Sequence, residues 1–132
     1  MKFNQESILN VATSEEHAGD FPKVVHGFKQ LGIEKYHFIV DRGVYVFTDG
    51  NISIETQLNG IPKKVNEISS KEGIQSAINK AQSGQIEFET FITLAGEAGI
   101  AYWTADLIKM EVAYMDTSNH IIVVEPIPAY KG

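Results

Sequence analysis

Apolar residues recur with helical spacing in four places along the chain and alternate with polar ones in the stretches between. Phe21, Val24, Val25, Phe28 and Leu31 follow one another at steps of three and four, which lays a single apolar stripe along a helix. Pro22 falls in the first turn, where a missing N–H has no helical partner to lose, and Gly32 ends the stripe. Upstream, Ile8, Val11 and Ala12 share a face behind an Asn4 cap, and Phe3 and Ile8 have the spacing of a hydrophobic staple. A helix is therefore predicted over residues 5–17, stopped by Gly19, with Asp20 capping the next. The pattern then changes to strands at Tyr36–Val40, Val44–Thr48 and Ile52–Leu58, turned at Asp41-Arg42-Gly43 and by a type I′ hairpin at Asp49-Gly50. Asn59-Gly60-Ile61-Pro62 opens a connecting loop.

The second half repeats this order. Ser69 to Glu72 reads as a capping box before a helix carrying Ile74, Ala77, Ile78 and Ala81, which Gly84 stops. Phe88, Phe91, Ile92, Ala95 and Ala98 form another stripe, ended by Gly99. Strands are predicted at 100–105, 107–115 and 120–125, with a tight turn at Ala105–Asp106. A shift of 67 residues aligns Phe21 with Phe88, Gly32 with Gly99, Ile33 with Ile100 and Asp49 with Asp116, and sets Trp103 against Tyr36. The identities fall at equivalent junctions: a helix start, a helix stop, a hairpin turn. The expected fold is α+β, two ααβββ repeats over 4–58 and 69–128, with antiparallel sheets packed on helices in a single domain.

Composition narrows function mainly by exclusion. The 132 residues carry a net charge of −6, with ten lysines scattered along the chain and Arg42 the only arginine. No basic face is available to displace counterions from phosphates, so neither nucleic acid nor an anionic membrane is an expected partner. Without cysteine there is no thiol nucleophile, thiolate metal site or disulfide. The start, MKFNQESILN, lacks the apolar core of a signal peptide, and no apolar run reaches membrane-spanning length, so a cytoplasmic location is expected.

Site chemistry is sparse. His17, His26, His37 and His120 have no metal-ligand spacing, no G-x-S-x-G elbow is present, and Gly96–Gly99 ends a helix where a phosphate cradle would begin one. No catalytic residue, cofactor or metal is expected. The residues to weigh as ligand contacts are Trp103, Asp106, Tyr36 and Asp41, suggested by the register of the repeats, and Arg42, whose guanidinium could fork onto a carboxylate or phosphate. Against this, a strand tryptophan is usually packing, aspartate is a favoured turn residue, and a turn arginine is usually solvated. Adjacent Tyr102 and Trp103 must point to opposite sheet faces, which leaves one aromatic for an open face.

Taken together, D-F-P at Asp20–Pro22, L-G-I at Leu31–Ile33, G-I-x-x-W at Gly99–Trp103, Asp106, Met110, Y-x-D at Tyr114–Asp116 and E-P-I-P at Glu125–Pro128 resemble the YbcV-like bacterial family of unknown function, often called "phage envelope protein". The resemblance spans nearly the whole chain and implies a compact α+β domain with no catalytic residues to carry over. The expected function is a non-catalytic binding or interaction module, with a homodimer through a sheet face or edge. The alternative is a small-molecule-binding protein or enzyme with a pocket between the repeats.

Overall fold

Asn4 starts the first helix as its spacing predicts: its Oδ1 accepts from the Ser7 N–H at 2.9 Å, while its own N–H donates to Ser7 Oγ at 2.8 Å. The computed structural model describes residues 4–12, 21–58 and 60–128. Its elements run α1 (Gln5–Ala12), α2 (Phe21–Gln30), β1 (Lys35–Ile39), β2 (Val44–Thr48), β3 (Ser53–Thr56), then α3 (Lys71–Gln82), α4 (Phe88–Glu97), β4 (Tyr102–Asp106), β5 (Glu111–Met115) and β6 (Ile121–Pro126). This is the predicted ααβββ order, twice. The Phe3 staple, the extension of α1 through 13–17, the Gly19 stop and the Asp20 cap lie outside the described residues.

Glycine ends the helices for a backbone reason. Gly32 has φ 90° and Gly99 φ 76°, a left-handed region that a side chain resists. After α2, the Ile33 N–H reaches the Phe28 carbonyl and the Gly32 N–H reaches that of Lys29; after α4, Ile100 reaches Ala95 and Gly99 reaches Gly96. Both are Schellman closures, displaced by the same 67 residues.

Several local expectations move by a residue or more. The α3 cap is Ser70, whose Oγ accepts from the Gly73 N–H at 3.0 Å, because the Ser70 N–H is itself fixed on the Ala98 carbonyl. The Ser69–Glu72 capping box does not form. The turn expected at Ala105–Asp106 lies further on, at Leu107–Met110, because Leu107 is fully buried and holds the strand end in place. At the first repeat's second hairpin, Asp49 pairs with Ile52, and positive φ occurs at Gly50 but not at Asn51. The positive φ that a type I′ turn needs at both central residues is therefore present at only one of them.

The six strands form one antiparallel sheet in the order β3-β2-β1-β4-β5-β6. Adding 67 to the bounds of α2, β1 and β2 gives those of α4, β4 and β5. The ladders agree: Lys35 pairs with Thr48 as Tyr102 pairs with Met115. The seam is β1 against β4, where His37 pairs with Thr104, its own counterpart in the second repeat. A pseudo-twofold axis therefore pierces the sheet between these two residues.

All four helices contribute to one apolar core on one face of the sheet. Ile8, Val24, Val25, Phe28, Ile74, Ala77, Ile78, Phe91, Ile92 and Ala95 pack with Tyr36, Phe38, Phe47, Trp103, Ala105, Val112 and Tyr114. Phe38 stacks on Trp103 across the seam at 4.7 Å, and Trp103 meets Phe91 edge-on at 5.2 Å. The opposite member of the seam is Tyr36 against Ala105, so the axis relates a crowded pair to a lighter one.

Candidate functional surface

The five residues singled out from the sequence are not gathered at one place. Trp103 and Tyr36 are each only 5% exposed, within the core. The rings around Tyr36 include Phe28 and Phe47, and those around Trp103 include Phe38, Phe88, Phe91 and Tyr114. Asp106 caps the β4–β5 turn, its Oδ1 accepting from the Ile108 and Lys109 N–H groups, each at 3.0 Å. These N–H donors, Lys109's first, hold its carboxyl below the usual value, with Lys35 adding to the effect. Asp41 is exposed in the β1–β2 turn. Arg42 donates from Nη2 alone to both oxygens of Glu55, at 3.1 and 3.0 Å, in an exposed ion pair.

What the structure adds is a face. Strand side chains alternate, and the residues that do not point at the helices form the other side of the sheet. On the four central strands these are Val44, Val46 and Thr48; Lys35, His37 and Ile39; Tyr102, Thr104 and Asp106; and Glu111, Ala113 and Met115. Cross-strand pairing sorts them into rows. One end of the sheet carries Val44, Ile39, Tyr102 and Met115. The other end carries Thr48, Lys35, Asp106 and Glu111. Val46, His37, Thr104 and Ala113 lie between. β6 extends the face with Ile121, 61% exposed, and Val124, 42% exposed.

This sorting runs against the internal symmetry. The 67-residue shift maps Lys35 onto Tyr102, Ile39 onto Asp106, Val44 onto Glu111 and Thr48 onto Met115. Each apolar residue at one end thus has a polar counterpart at the other. The repeats share a backbone, yet their outward side chains have diverged so that all four strands are apolar at the same end. Neither repeat alone contains the arrangement.

At the centre of the face, His37 Nδ1 lies 2.8 Å from Thr104 Oγ1. Partial burial, helped by the nearby Lys35 ammonium, lowers the His37 pKa from 6.5, so the ring is neutral at pH 7. Tyr102 is steered toward the β5–β6 turn by its hydroxyl, which bonds Asn119 Oδ1 at 2.9 Å.

Concave surface lies elsewhere. A shallow groove of about 940 Å³ runs along α3 past Lys71, Gln75, Asn79 and Lys80, and a smaller one of about 260 Å³ lies between α3 and α4 near Ser76 and Leu94. None of the five sequence-selected residues lines either groove. Among the described residues no three His, Asp or Glu side chains gather closely enough to hold a metal ion, and no helix is long and apolar enough to cross a membrane.

The fold and this face define an α+β domain of two similar ααβββ units, with helices on one side of its sheet and, among the described residues, partly exposed strand side chains with no helix over them on the other. A family model, "Protein of unknown function (DUF1398)", matches residues 10–126, and the chain belongs to that family. No curated protein matches it.

Proposed function

We propose that the protein is a non-catalytic binding module that works through the open face of its sheet. The observation supporting this reading is the sorting of outward side chains into an apolar row and a polar row across two repeats that symmetry would have made alternate. A sheet face that only met water would have no physical need for Ile39, Val44, Tyr102 and Met115 in one line. The YbcV-like resemblance, with its "phage envelope protein" name, extends the proposal to a bacterial or phage setting.

The test is site-specific photo-cross-linking, with a photoreactive residue at Val46 on the open face or at exposed Ser76 on α3. Adducts concentrated at position 46, whatever their identity, are the expected result. Equal or stronger adduct formation at position 76 would defeat the reading.

A further inference from the structure

We infer that the occupant of the open face is a second copy of this chain, packed sheet on sheet about a twofold axis parallel to the strands. The inference rests on the proposed binding role of this face and names its partner.

Two in-plane axes could relate a copy stacked over the β1–β4 seam. An axis across the strands would lay each strand on its own copy, head to tail. Lys35 would then cover Ile39 of the other copy, and Asp106 would cover Tyr102, burying each charge against an apolar side chain. An axis along the strands lays each residue over its register partner instead. Lys35 then covers Asp106, with Glu111 beside it, and the converse holds at the symmetric position. Ile39 covers Tyr102, Val44 covers Met115, and Val46 covers Ala113. Apolar row meets apolar row and the opposite charges meet each other. Only the second arrangement uses the sorting, and self-complementarity of this kind is what an isologous interface requires. Aligned sheet packing with its usual small crossing angle keeps these rows in contact.

The area sets the strength. Five strand spacings of ~4.8 Å by five residues of ~3.4 Å make a patch of roughly 400 Å² in projection. Side-chain relief raises the accessible area toward the low end of stable interfaces, about 600 Å² per partner. A patch this small belongs with the smaller specific interfaces, and the proposed dimer dissociates on dilution.

Sedimentation velocity on the full chain across roughly 1–500 µM brackets the affinities such an area supports. The expected result is a monomer–dimer equilibrium. Val46→Arg, with its fold checked by circular dichroism, is expected to be monomeric throughout. Lys35→Glu is expected to weaken association by about tenfold or more, and Lys35→Glu combined with Glu111→Lys to recover part of it. A wild-type chain that stays monomeric over the whole range overturns the inference, as does a dimer indifferent to both Val46→Arg and Lys35→Glu. In either case, adducts at position 46 with some other molecule would leave the binding-face reading standing while removing the second copy from it.

Discussion

The His37 imidazole and the Thr104 hydroxyl lie 2.8 Å apart on the two central strands, and each is the other's counterpart under the 67-residue repeat. Thr104→Val keeps the shape and removes the hydrogen-bonding oxygen. A loss of about 1 kcal/mol is expected from urea unfolding at pH 7. The pH dependence has a definite sign. Folding lowers the His37 pKa below 6.5, so below that value the unfolded chain binds more protons than the folded one. The stability His37 contributes is complete above pH 6.5 and is lost as the pH falls toward the folded-state pKa. An NMR titration of His37 should give a midpoint below 6.5.

Two glycines with nearly the same backbone conformation should respond very differently to alanine. Gly84 and Gly99 have φ 75° and 76°, but a Cβ on Gly84 meets nothing within 4 Å, whereas one on Gly99 falls 2.5 Å from the Ile68 carbonyl oxygen. Gly84→Ala is expected to cost about 1 kcal/mol, the price of left-handed backbone alone. Gly99→Ala adds a steric conflict with main chain and should cost about 3 kcal/mol or more. Equal losses in thermal unfolding would contradict the close approach of the 60–70 loop to the end of α4.

That contrast also shows what could be read from the letters. Gly32 and Gly99 announce helix ends locally, and Tyr102 beside Trp103 announces two faces by alternation alone. Ser69 and Ser70 could not be told apart as caps, since the choice depends on a hydrogen bond to Ala98, far along the chain. The Leu107 strand end depends on burial, which local turn propensity at Asp106 does not report. The sorting of residues on the open face was hidden for a stronger reason. Its rows exist only once the register of β1 on β4 is known, and that pairing joins residues 67 apart at the seam. Rarity drew attention to Trp103 and Arg42, but a surface made of ordinary valines, an isoleucine and a lysine has no rare residue to mark it.

Gly43 and Met110 occupy equivalent turns with φ 65° and 57°. Met110→Gly relieves left-handed strain at the cost of partly buried contacts, including the Lys29 Nζ approach to Sδ at 3.7 Å. A net change within about 1 kcal/mol of zero is expected in chemical denaturation. Gly43→Met should fail badly, because the Cβ would lie 2.5 Å from Pro62 N. A loss above about 3 kcal/mol is expected.

Three turn aspartates should titrate low. Asp49 is held down chiefly by the Ile52 and Asn51 N–H groups, Asp116 by those of His120 and Ser118, and Asp106 by that of Lys109. Their folded-state pKa values lie below 3.8, so their contribution is complete above that value and is lost as the pH falls through the folded values. Carboxyl carbon shifts followed by NMR should place all three midpoints below 3.8, and Asp116→Asn should retain the turn while removing its share of the acid sensitivity.

The seam between β1 and β4 bears on how such a sheet can be assembled. Because equivalent residues face each other there, a half-length ααβββ chain could close the same ladder with its own twin, pairing its first strand with itself about a residue at the position of His37 or Thr104. Joining two such chains end to end would fix the stoichiometry and free each copy to mutate separately. The opposed polarity of Ile39 and Asp106, or of Val44 and Glu111, is a difference that a pair of identical halves could not carry.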